Sequence, residues 1–348
     1  MISTLNHIFS LLIILTLVSC NSTSQSRKDA VNDKLQGVTT IAFGSCNRQD
    51  RPQPLWIPVI SHKPDVWIWL GDNIYGDTED MDLMKEKYDL QLKNEDYQKL
   101  VSSSKVIGTW DDHDYGKNDA GKEYPRKVES RELMYDFLGI ANDSELRKRE
   151  GAYSAHIFGE NQNKVKVILL DARYFRDELK QDDNKAYILN TTGSVLGEAQ
   201  WKWLENELEK KDAAITIIGS GIQFISEEHP FEKWHNFPNE RKRLFDLLQK
   251  TGTSGVILLS GDRHIAEISK MDLEGLQNPL YDITSSGLTH TWKEERDEPN
   301  QHRVGGLIAQ LNFGLLHFHW EEQQVKITME IRGEENKLLL SEKLIVKK

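Results

Sequence analysis

The sequence contains only two cysteines, Cys20 and Cys46, so at most one disulfide could form and no disulfide framework can hold the fold together. A chain of 348 residues instead has ample material for a hydrophobic core. Basic residues are also scarce, because 44 Lys and Arg face 55 Asp and Glu, giving a formal net charge of −11. No basic run stands out, which argues against a nucleic-acid partner.

The first 20 residues lack Lys, Arg, Asp and Glu. Residues 8–18 are almost wholly apolar, but this stretch is too short to span a bilayer comfortably and suits the core of a signal peptide. The end of this stretch overlaps Leu17-Val18-Ser19-Cys20, which resembles the lipobox of bacterial lipoproteins. We therefore predict a signal peptide at 1–20, lipidation of Cys20, and an exported protein anchored to a bacterial membrane. An ordinary signal peptide or an uncleaved anchor remains an alternative, since the segment before the apolar stretch lacks Lys and Arg.

Residues 21–37 are polar and are predicted to form a flexible tether to a domain at 38–348. Short apolar runs predict an α/β fold with strands at 39–43, 67–70, 105–110, 165–170, 213–218 and 256–259. Charged or periodic segments predict helices within 82–100 and at 128–138, 196–208 and 241–250. Three strand-like segments near the carboxyl terminus are predicted to complete a second sheet: 315–320, 325–331 and 338–346.

Most of the early strands are followed by polar residues that can bind metal or phosphate. The clearest case is the apolar run 66–70, which stops at Gly71-Asp72 and is followed by Tyr75. The other candidates after strand ends are Cys46, Asp111 to Asp114, Arg173 with Arg176, and Asp262 with His264. Because the carboxyl ends of parallel strands meet at one edge of a sheet, these side chains are expected to converge there.

Carboxylates gathered at one edge would repel each other and raise each other's pKa, and cations would relieve this repulsion. The mixture of oxygen, nitrogen and sulfur donors indicates more than one kind of metal. Taken singly, each motif also has a structural explanation: a solvated acidic loop at 111–114, a hairpin turn at 261–264, a buried apolar Cys46, or ordinary ion pairs for the arginines. Four such strand ends in one chain are hard to explain by packing alone.

The motifs together resemble those of the PhoD-like alkaline phosphatase (alkaline phosphatase D) family, a branch of the calcineurin-like metallophosphatases. The resemblance extends from about residue 40 to about residue 288. It rests on the following segments: Gly44-Ser45-Cys46, Gly71-Asp72-Asn73-Ile74-Tyr75, Trp110-Asp111-Asp112-His113-Asp114, Leu170-Asp171-Ala172-Arg173-Tyr174-Phe175-Arg176, Gly261-Asp262-Arg263-His264, and the helix Gly197-Glu198-Ala199-Gln200-Trp201-Lys202-Trp203-Leu204.

This resemblance implies a four-layer α/β/β/α sandwich of the metallophosphatase type, with the metal site at the strand ends. It implies iron (Fe³⁺), held partly by the thiolate of Cys46 and the phenolate of Tyr75, with calcium alongside; zinc or another divalent metal is the alternative. The implied roles of the other residues are a bridging ligand for Asp72, a ligand position for Asp112, proton donation for His113, site closure for Asp262 and His264, phosphate contact for Arg173 and Arg176, and an amide ligand for Asn118.

The sequence departs from the family pattern in three ways, one of which is that the acidic residue after His113 is Asp114, which is expected at most to support the ligands. The amino-terminal β-sandwich of larger members is not expected, and the intermediate histidine of many metallophosphatases is replaced by the segment 219–223. The leading hypothesis is a metal-dependent hydrolase of small phosphoric esters. Alternatives are a phosphodiesterase or phospholipase-like hydrolase, and a non-catalytic lipoprotein that binds metal or phosphate. Three aromatic residues could contact a nucleobase or lipid or simply pack at the rim: Phe231, Trp234 and Phe237.

Overall fold

The computed structural model describes residues 37–184, 186–292 and 298–348. The predictions for the signal peptide, for Cys20 and for nearly all of the tether lie outside these residues. The strands are β1 (Thr40–Gly44), β2 (Val66–Leu70), β3 (Lys105–Thr109), β4 (Ser154–Phe158), β5 (Val165–Leu169), β6 (Lys180–Gln181), β7 (Tyr187–Ile188), β8 (Ile215–Gly219), β9 (Val256–Ser260), β10 (Ala266–Met271), β11 (Leu280–Ser285), β12 (Arg303–Ile308), β13 (Phe313–Trp320), β14 (Gln324–Arg332) and β15 (Leu338–Lys347).

Seven α-helices and three short 3₁₀ turns connect the strands in the described part of the chain. The helices are α1 (Trp56–Ser61), α2 (Met81–Leu92), α3 (Glu95–Ser103), α4 (Asp112–Tyr115), α5 (Lys127–Phe137), α6 (Gly197–Glu209) and α7 (Pro238–Thr251). Helix ends carry the expected signals. The side chain of Asn94 accepts hydrogen bonds from the first turn of α3, and α7 begins with Pro238 and is capped by Gly252 in the left-handed conformation. None of the helices in these residues combines the length and the apolar character needed to cross a bilayer.

Two large sheets form the centre of the fold. The first has the order β15-β14-β13-β1-β2-β3, and the second has the order β12-β10-β11-β9-β8-β5-β4. Strands β1, β2 and β3 are parallel in the first sheet, as are β5, β8, β9 and β11 in the second. The carboxyl ends of each parallel set therefore lie on one side, as the sequence predicted.

Side chains alternate between two environments along the central strands. Ile41 and Phe43 of β1 join an aliphatic core with Ile217 of β8, whereas Ala42 and Ile218 belong to separate outer clusters. The outer cluster of the first sheet includes residues of α1, α2, α3 and α5, and that of the second includes residues of α6 and α7. This period of two places helices on both outer faces and confirms the predicted α/β/β/α layers.

The prediction that the last three strands complete a second sheet is wrong. β13 pairs antiparallel with β1, with Phe43 opposite Gly314, so that β13, β14 and β15 extend the first sheet. Six strands were not predicted: the short strands β6 and β7, and β4, β10, β11 and β12. The second sheet obtains β10, β11 and β12 from the segment that follows β9, and its edge strand β4 from the segment before β5.

Candidate active site

Four proposed ligands occupy a backbone conformation that residues other than glycine rarely adopt. The φ angle is +59° at Cys46, +49° at Asp72, +69° at Asp262 and +53° at His264. Such positions cost about 1–3 kcal/mol each and persist where the surrounding structure imposes them, often at functional sites. All four follow the carboxyl ends of β1, β2 and β9. The strain thus marks the edge at which the sequence predicted a site.

The first group of ligand atoms is formed by Cys46, Asp72 and His264, which each offer one donor atom within 4.8 Å of the others. The Sγ atom of Cys46 lies 3.3 Å from Oδ2 of Asp72. The hydroxyl oxygen of Tyr75 lies 3.4 Å from the same carboxylate oxygen and 2.9 Å from Nε2 of His264. The structure therefore brings together the sulfur, phenol, carboxylate and imidazole that the sequence proposed as ligands.

Two further groups adjoin the first. Asp72, Asp112 and His113 form one, and Asp111, Asp112 and Asp262 form the other, again with donor atoms within 4.8 Å. Asp72 belongs to two groups and Asp112 also belongs to two. This sharing of carboxylates is the arrangement expected of neighbouring cation sites with bridging ligands.

The electrostatics of these groups fit bound cations. Burial raises the pKa of Asp72 to about 7, and burial together with the neighbouring Asp112 raises that of Asp262 well above its usual range. Burial also raises the pKa of the Cys46 thiol and of the Tyr75 phenol. Oδ1 of Asp112 has no hydrogen-bond partner among the described residues. The site thus holds more carboxylate than nearby side chains neutralise, which bound metal ions would correct.

The remaining acidic residues of the 111–114 segment shape the site. The carboxylate of Asp114 accepts hydrogen bonds from the backbone N–H groups of Asp72 (3.1 Å) and Asp111 (2.8 Å), joining two strand-end turns. Gly71, which directly precedes Asp72, packs against the Asp111 turn: its φ angle is +92°, and a Cβ atom there would lie 2.4 Å from Cβ of Asp111. Only glycine fits this close approach. Asn118, a predicted amide ligand, is exposed on the surface.

The two arginines proposed to contact phosphate are buried in ion pairs. Arg173 donates from Nε to Oδ1 of Asp111 at 2.7 Å and from Nη1 to Oε2 of Glu232 at 2.6 Å. Nε of Arg176 lies 3.1 Å from Oε1 of Glu232. Both guanidinium groups have no solvent exposure. The structure therefore favours the ion-pair alternative for both arginines.

His113 is half-buried at the start of α4. Its Nδ1 lies 2.6 Å from Oδ1 of Asp77, and its ring centroid lies 4.1 Å from that of Tyr75. Burial opposes protonation of this histidine, but the Asp72 carboxylate and the hydrogen bond to Asp77 raise its pKa to about 10. The side chain is thus held in one orientation beside the candidate ligands.

Among the residues that sequence reasoning missed are Ser286 and His290, whose side chains contact candidate ligands. Oγ of Ser286 lies 3.0 Å from Sγ of Cys46 and accepts a hydrogen bond from the backbone N–H of His264 at 2.8 Å. Nε2 of His290 lies 3.0 Å from the hydroxyl oxygen of Tyr75. Both follow the end of β11. The same strand-end rule would have found them if β11 had been predicted.

Residues 219–223, which replace the intermediate histidine of many metallophosphatases, place backbone beside the site and an amide side chain in a polar network. A Cβ atom at Gly221 would lie 2.3 Å from Oδ1 of Asp111, so the backbone passes directly beside this carboxylate. Nε2 of Gln223 donates to Glu267 and Thr284, at 2.7 Å each. The amide of Gln223 is thereby committed to a buried polar network beside the sheet.

The fold and the arrangement of acids define a metallophosphatase-type protein, and comparisons with known proteins agree. The family model for PhoD-like phosphatases matches residues 42–303, and the chain belongs to this family. Alkaline phosphatase D of Bacillus subtilis (strain 168) is 25% identical over 191 residues, covering 48% of this chain and 32% of that protein. The match thus spans about one third of that relative's length.

Two solved structures show the same fold. A structure of PhoD is 16% identical, with a TM-score of 0.69, and the match covers 88% of this chain and 72% of PhoD. A dimetal phosphatase from Danio rerio is also 16% identical, with a TM-score of 0.53, and the match covers 89% of this chain and 99% of that one. At these identities the likeness extends to the architecture alone.

Proposed function

We propose that the protein is a metal-dependent phosphoric-ester hydrolase of the alkaline phosphatase D type, acting on monoesters, diesters or both. The observation that carries this proposal is the convergence of Cys46, Asp72, Asp112, Asp262 and His264 at one strand edge, with Asp72 and Asp112 shared between groups. Membership in the PhoD-like phosphatase family supports it.

The residues present fit metal ions of two kinds. Cys46 and His264 provide thiolate and imidazole donors, and Tyr75 and Asp72 provide anionic oxygens; together these four side chains would hold iron as Fe³⁺. Asp112 and Asp262 provide hard oxygen donors suited to calcium, and zinc or another divalent ion is the alternative. When bound, these metals supply Lewis acidity and activate a water molecule at neutral pH.

The protein's own groups would orient and protonate the reactants. In the net reaction the oxygen of water bonds to phosphorus, the bond between phosphorus and the ester oxygen breaks, and the alcohol leaves with a proton that water replaces. We assign donation of that proton to His113. Its Nδ1 is occupied by the hydrogen bond to Asp77, which leaves Nε2 as the nitrogen that can donate a proton to the leaving group. Arg173 and Arg176 contribute indirectly. They are buried and form ion pairs with Asp111 and Glu232, so they hold these carboxylates in place and do not contact the phosphate.

The test is hydrolysis of p-nitrophenyl phosphate and of bis(p-nitrophenyl) phosphate before and after metal removal. We expect activity on at least one ester, its loss on chelation, and its recovery with Ca²⁺ if iron is retained. The ratio of the two rates separates a monoesterase from a phosphodiesterase or phospholipase-like enzyme. Full activity in a sample shown to be metal-free would overturn the proposal. Metal binding without hydrolysis of either ester would instead indicate a binding protein.

The assignment of iron has its own measurement. Thiolate and phenolate ligands on Fe³⁺ give visible charge-transfer bands, so the loaded protein is expected to be coloured. Cys46→Ser should weaken the absorption and lower the iron content, and Tyr75→Phe should change it separately. A colourless, fully active protein without iron would refute iron and leave a calcium- or zinc-type hydrolase.

We also propose that the protein is exported and anchored through lipid on Cys20. The support is the apolar stretch 8–18, whose end overlaps the segment Leu17-Val18-Ser19-Cys20. A single acyl chain gives only marginal membrane binding, so several chains would be needed for stable anchoring. Cys20→Ser should move the protein to the soluble fraction, and an unchanged membrane fraction would reject the lipid anchor.

A further inference from the structure

His290 contacts a proposed metal ligand, yet it belongs to none of the three ligand groups found among the described residues. Its Nε2 atom lies 3.0 Å from the hydroxyl oxygen of Tyr75, and the two ring centroids lie 5.1 Å apart at an interplanar angle of 68°. A second imidazole nitrogen, Nε2 of His264, lies 2.9 Å from the same oxygen. His264 shares a ligand group with Cys46 and Asp72. The two histidines beside Tyr75 are therefore placed differently: one can share a metal ion with the phenol, and the other can form a hydrogen bond to it.

The segment that carries His290 is attached to the turn that follows β1. The backbone N–H of Thr289 donates to the carbonyl of Cys46 in this turn at 3.4 Å. The same turn holds Tyr75, whose backbone N–H donates to Oε1 of Gln49 at 2.9 Å. These bonds connect the end of β11 in the second sheet with the end of β1 in the first. The imidazole and the phenol are thus both positioned by one turn.

The hydrogen bonds of Thr289 indicate which nitrogen of His290 carries a hydrogen. Oγ1 of Thr289 accepts a hydrogen bond from the backbone N–H of Arg48 at 2.8 Å and lies 3.1 Å from Nδ1 of His290. The carbonyl of Cys46, 3.2 Å from this hydroxyl, already accepts the backbone N–H of Thr289, so the hydroxyl hydrogen is available to Nδ1. Nδ1 then accepts, and Nε2 carries the hydrogen that is directed at Tyr75. A phenolate can only accept hydrogen bonds, so it requires the same arrangement.

We propose that His290 is a positioning residue for Tyr75, whose phenolate oxygen accepts a hydrogen bond from Nε2–H of His290 while it binds the metal. The proposal rests on the metal-dependent function proposed above. A hydrogen bond to an anionic ligand stabilises the anion, and Tyr75 is only 5% exposed, so water competes little for this bond. Partners of this kind also fix the orientation of a metal ligand. Loss of His290 should therefore weaken metal binding through Tyr75 and leave the other ligands in place.

The test is a double-mutant cycle between His290 and Tyr75, measured as metal affinity without substrate. Fe³⁺ and Zn²⁺ are each titrated in competition with a chelator, so that the result does not depend on which metal is native. We expect His290→Leu to bind metal about tenfold more weakly, the usual order for loss of a partner that supports a metal ligand. In the Tyr75→Phe background the same substitution should change the affinity by less than about twofold, because the phenolate is absent. His290→Gln keeps a side-chain N–H donor and should recover most of the affinity.

The visible absorption of the iron-loaded protein provides a readout that altered packing alone would not produce. Without the hydrogen bond the phenolate is a stronger electron donor. The charge-transfer band that is lost in Tyr75→Phe should therefore move to longer wavelength in His290→Leu, and the band that is lost in Cys46→Ser should keep its position. His319→Leu, at a largely exposed histidine on β13, is the control and should leave both the affinity and the absorption unchanged. His290→Asn, whose shorter amide takes the place of Nδ1, replaces the leucine variant if that variant does not fold.

Three results would overturn the positioning role. An equal loss of affinity from His290→Leu in the wild-type and Tyr75→Phe backgrounds would show that the effect does not pass through Tyr75. Wild-type affinity and absorption in His290→Leu would show that the hydrogen bond has no effect. A loss larger than that of Tyr75→Phe, without recovery in His290→Gln, would make His290 a ligand itself. Hydrolysis is measured separately, so a protein that shows the coupling but cleaves neither p-nitrophenyl ester would refute the hydrolase function and uphold the pairing of His290 with Tyr75.

Discussion

The layer between the sheets and the edge where the parallel strands end are built on opposite principles. In the layer, Ile217, Ile257 and Leu259 are fully buried among other aliphatic side chains. Two residues after the end of β9, Asp262 is a carboxylate that lies beside other carboxylates, in a left-handed backbone conformation. Burial of apolar surface in the layer stabilises the fold, whereas backbone strain and clustered charge at the edge destabilise it.

The difference indicates which substitutions should damage folding and which should damage chemistry. Proteins often trade stability for activity at sites that hold uncompensated charge. A substitution in the layer should therefore lower the free energy of unfolding and spare the site. A substitution at the edge should impair the site and leave the free energy of unfolding unchanged or higher. Arg173 connects the two regions, since it neutralises Asp111 from inside the fold.

Asp72→Asn should have the largest effect, because Asp72 belongs to two of the three candidate ligand groups. We expect activity to fall on the order of 10³-fold or more, as for loss of a group that stabilises the transition state. The metal-free variant should be more stable than the metal-free wild type by about 0.5–2 kcal/mol, because one of the clustered carboxylates is gone. Metal analysis, kinetics and denaturant unfolding check this. Unchanged metal content and activity would remove Asp72 from the site.

His113→Asn should have an effect that depends on the leaving group. For a poor leaving group such as an alkoxide, we expect a loss of about 10²–10⁴-fold in kcat, the usual contribution of a general acid. For p-nitrophenolate, which barely needs a proton, the loss should be much smaller. His319→Asn, at a largely exposed histidine on β13, is the matched control. Equal losses on both substrates would reject proton donation and leave a positioning role for His113.

Arg173→Met tests the boundary between layer and edge. If the guanidinium neutralises Asp111 and Glu232, its removal should cost about 3–5 kcal/mol of stability, as for breaking a buried ion pair. Arg243→Met removes the partner of Glu198 on the surface and should cost no more than about 1 kcal/mol. A stable Arg173 variant that loses only its affinity for phosphate esters would restore the original phosphate-contact hypothesis.

Ile217→Ala is the opposite change, made in the layer. Ile217 has no solvent exposure and packs between the sheets, so its truncation should cost about 2–5 kcal/mol. Activity per folded molecule and metal content should stay at the wild-type level, because the side chain does not reach the edge. Unfolding curves combined with active-site titration make the comparison. Loss of metal in a folded variant would show that the layer and the edge are coupled.

The sequence was most informative where local rules and tertiary structure agree. Short runs rich in β-branched residues predicted the central strands, and the polar residues after them predicted which side chains meet. Helical spacing likewise predicted α6 and α7, with buried Trp201 and Leu244 on their inner faces. These features depend on residues close to one another in the chain, so they are visible without a structure.

What the sequence did not show depends on contacts between distant segments. Glu232 meets Arg173 across 59 residues, and no local pattern marks it as a partner. The strand β13 pairs with β1 across more than 270 residues, which sequence periodicity cannot reveal. Ser286 and His290 follow β11, whose mixed polar and apolar sequence hid the strand. Long-range pairing therefore accounts for the wrong sheet and for the missed partner Glu232, and the unpredicted strand β11 accounts for the missed Ser286 and His290.

Ser286→Ala should have the smallest effect and tests how the edge is supported. The Ser286 hydroxyl accepts a hydrogen bond from the backbone N–H of His264, so its own hydrogen is available to Sγ of Cys46. Burial raises the pKa of the Cys46 thiol, and this hydrogen bond opposes that rise by favouring the thiolate. We expect the variant to bind iron about tenfold more weakly, as for loss of a partner that supports a metal ligand. Its stability should fall by only about 1 kcal/mol.

The neighbouring Ser285 provides the matched control for this measurement. It is equally buried, but its hydroxyl bonds to Oδ1 of Asn312 at 2.9 Å instead of Cys46. Ser285→Ala should lose a similar amount of stability and keep the iron affinity and the visible absorption of the wild type. If the two variants lose iron equally, the effect comes from loosening of the β11 end as a whole. If only Ser286→Ala loses iron and shifts the absorption, a single hydroxyl supports the thiolate, and the edge requires side-chain placement that the layer between the sheets does not.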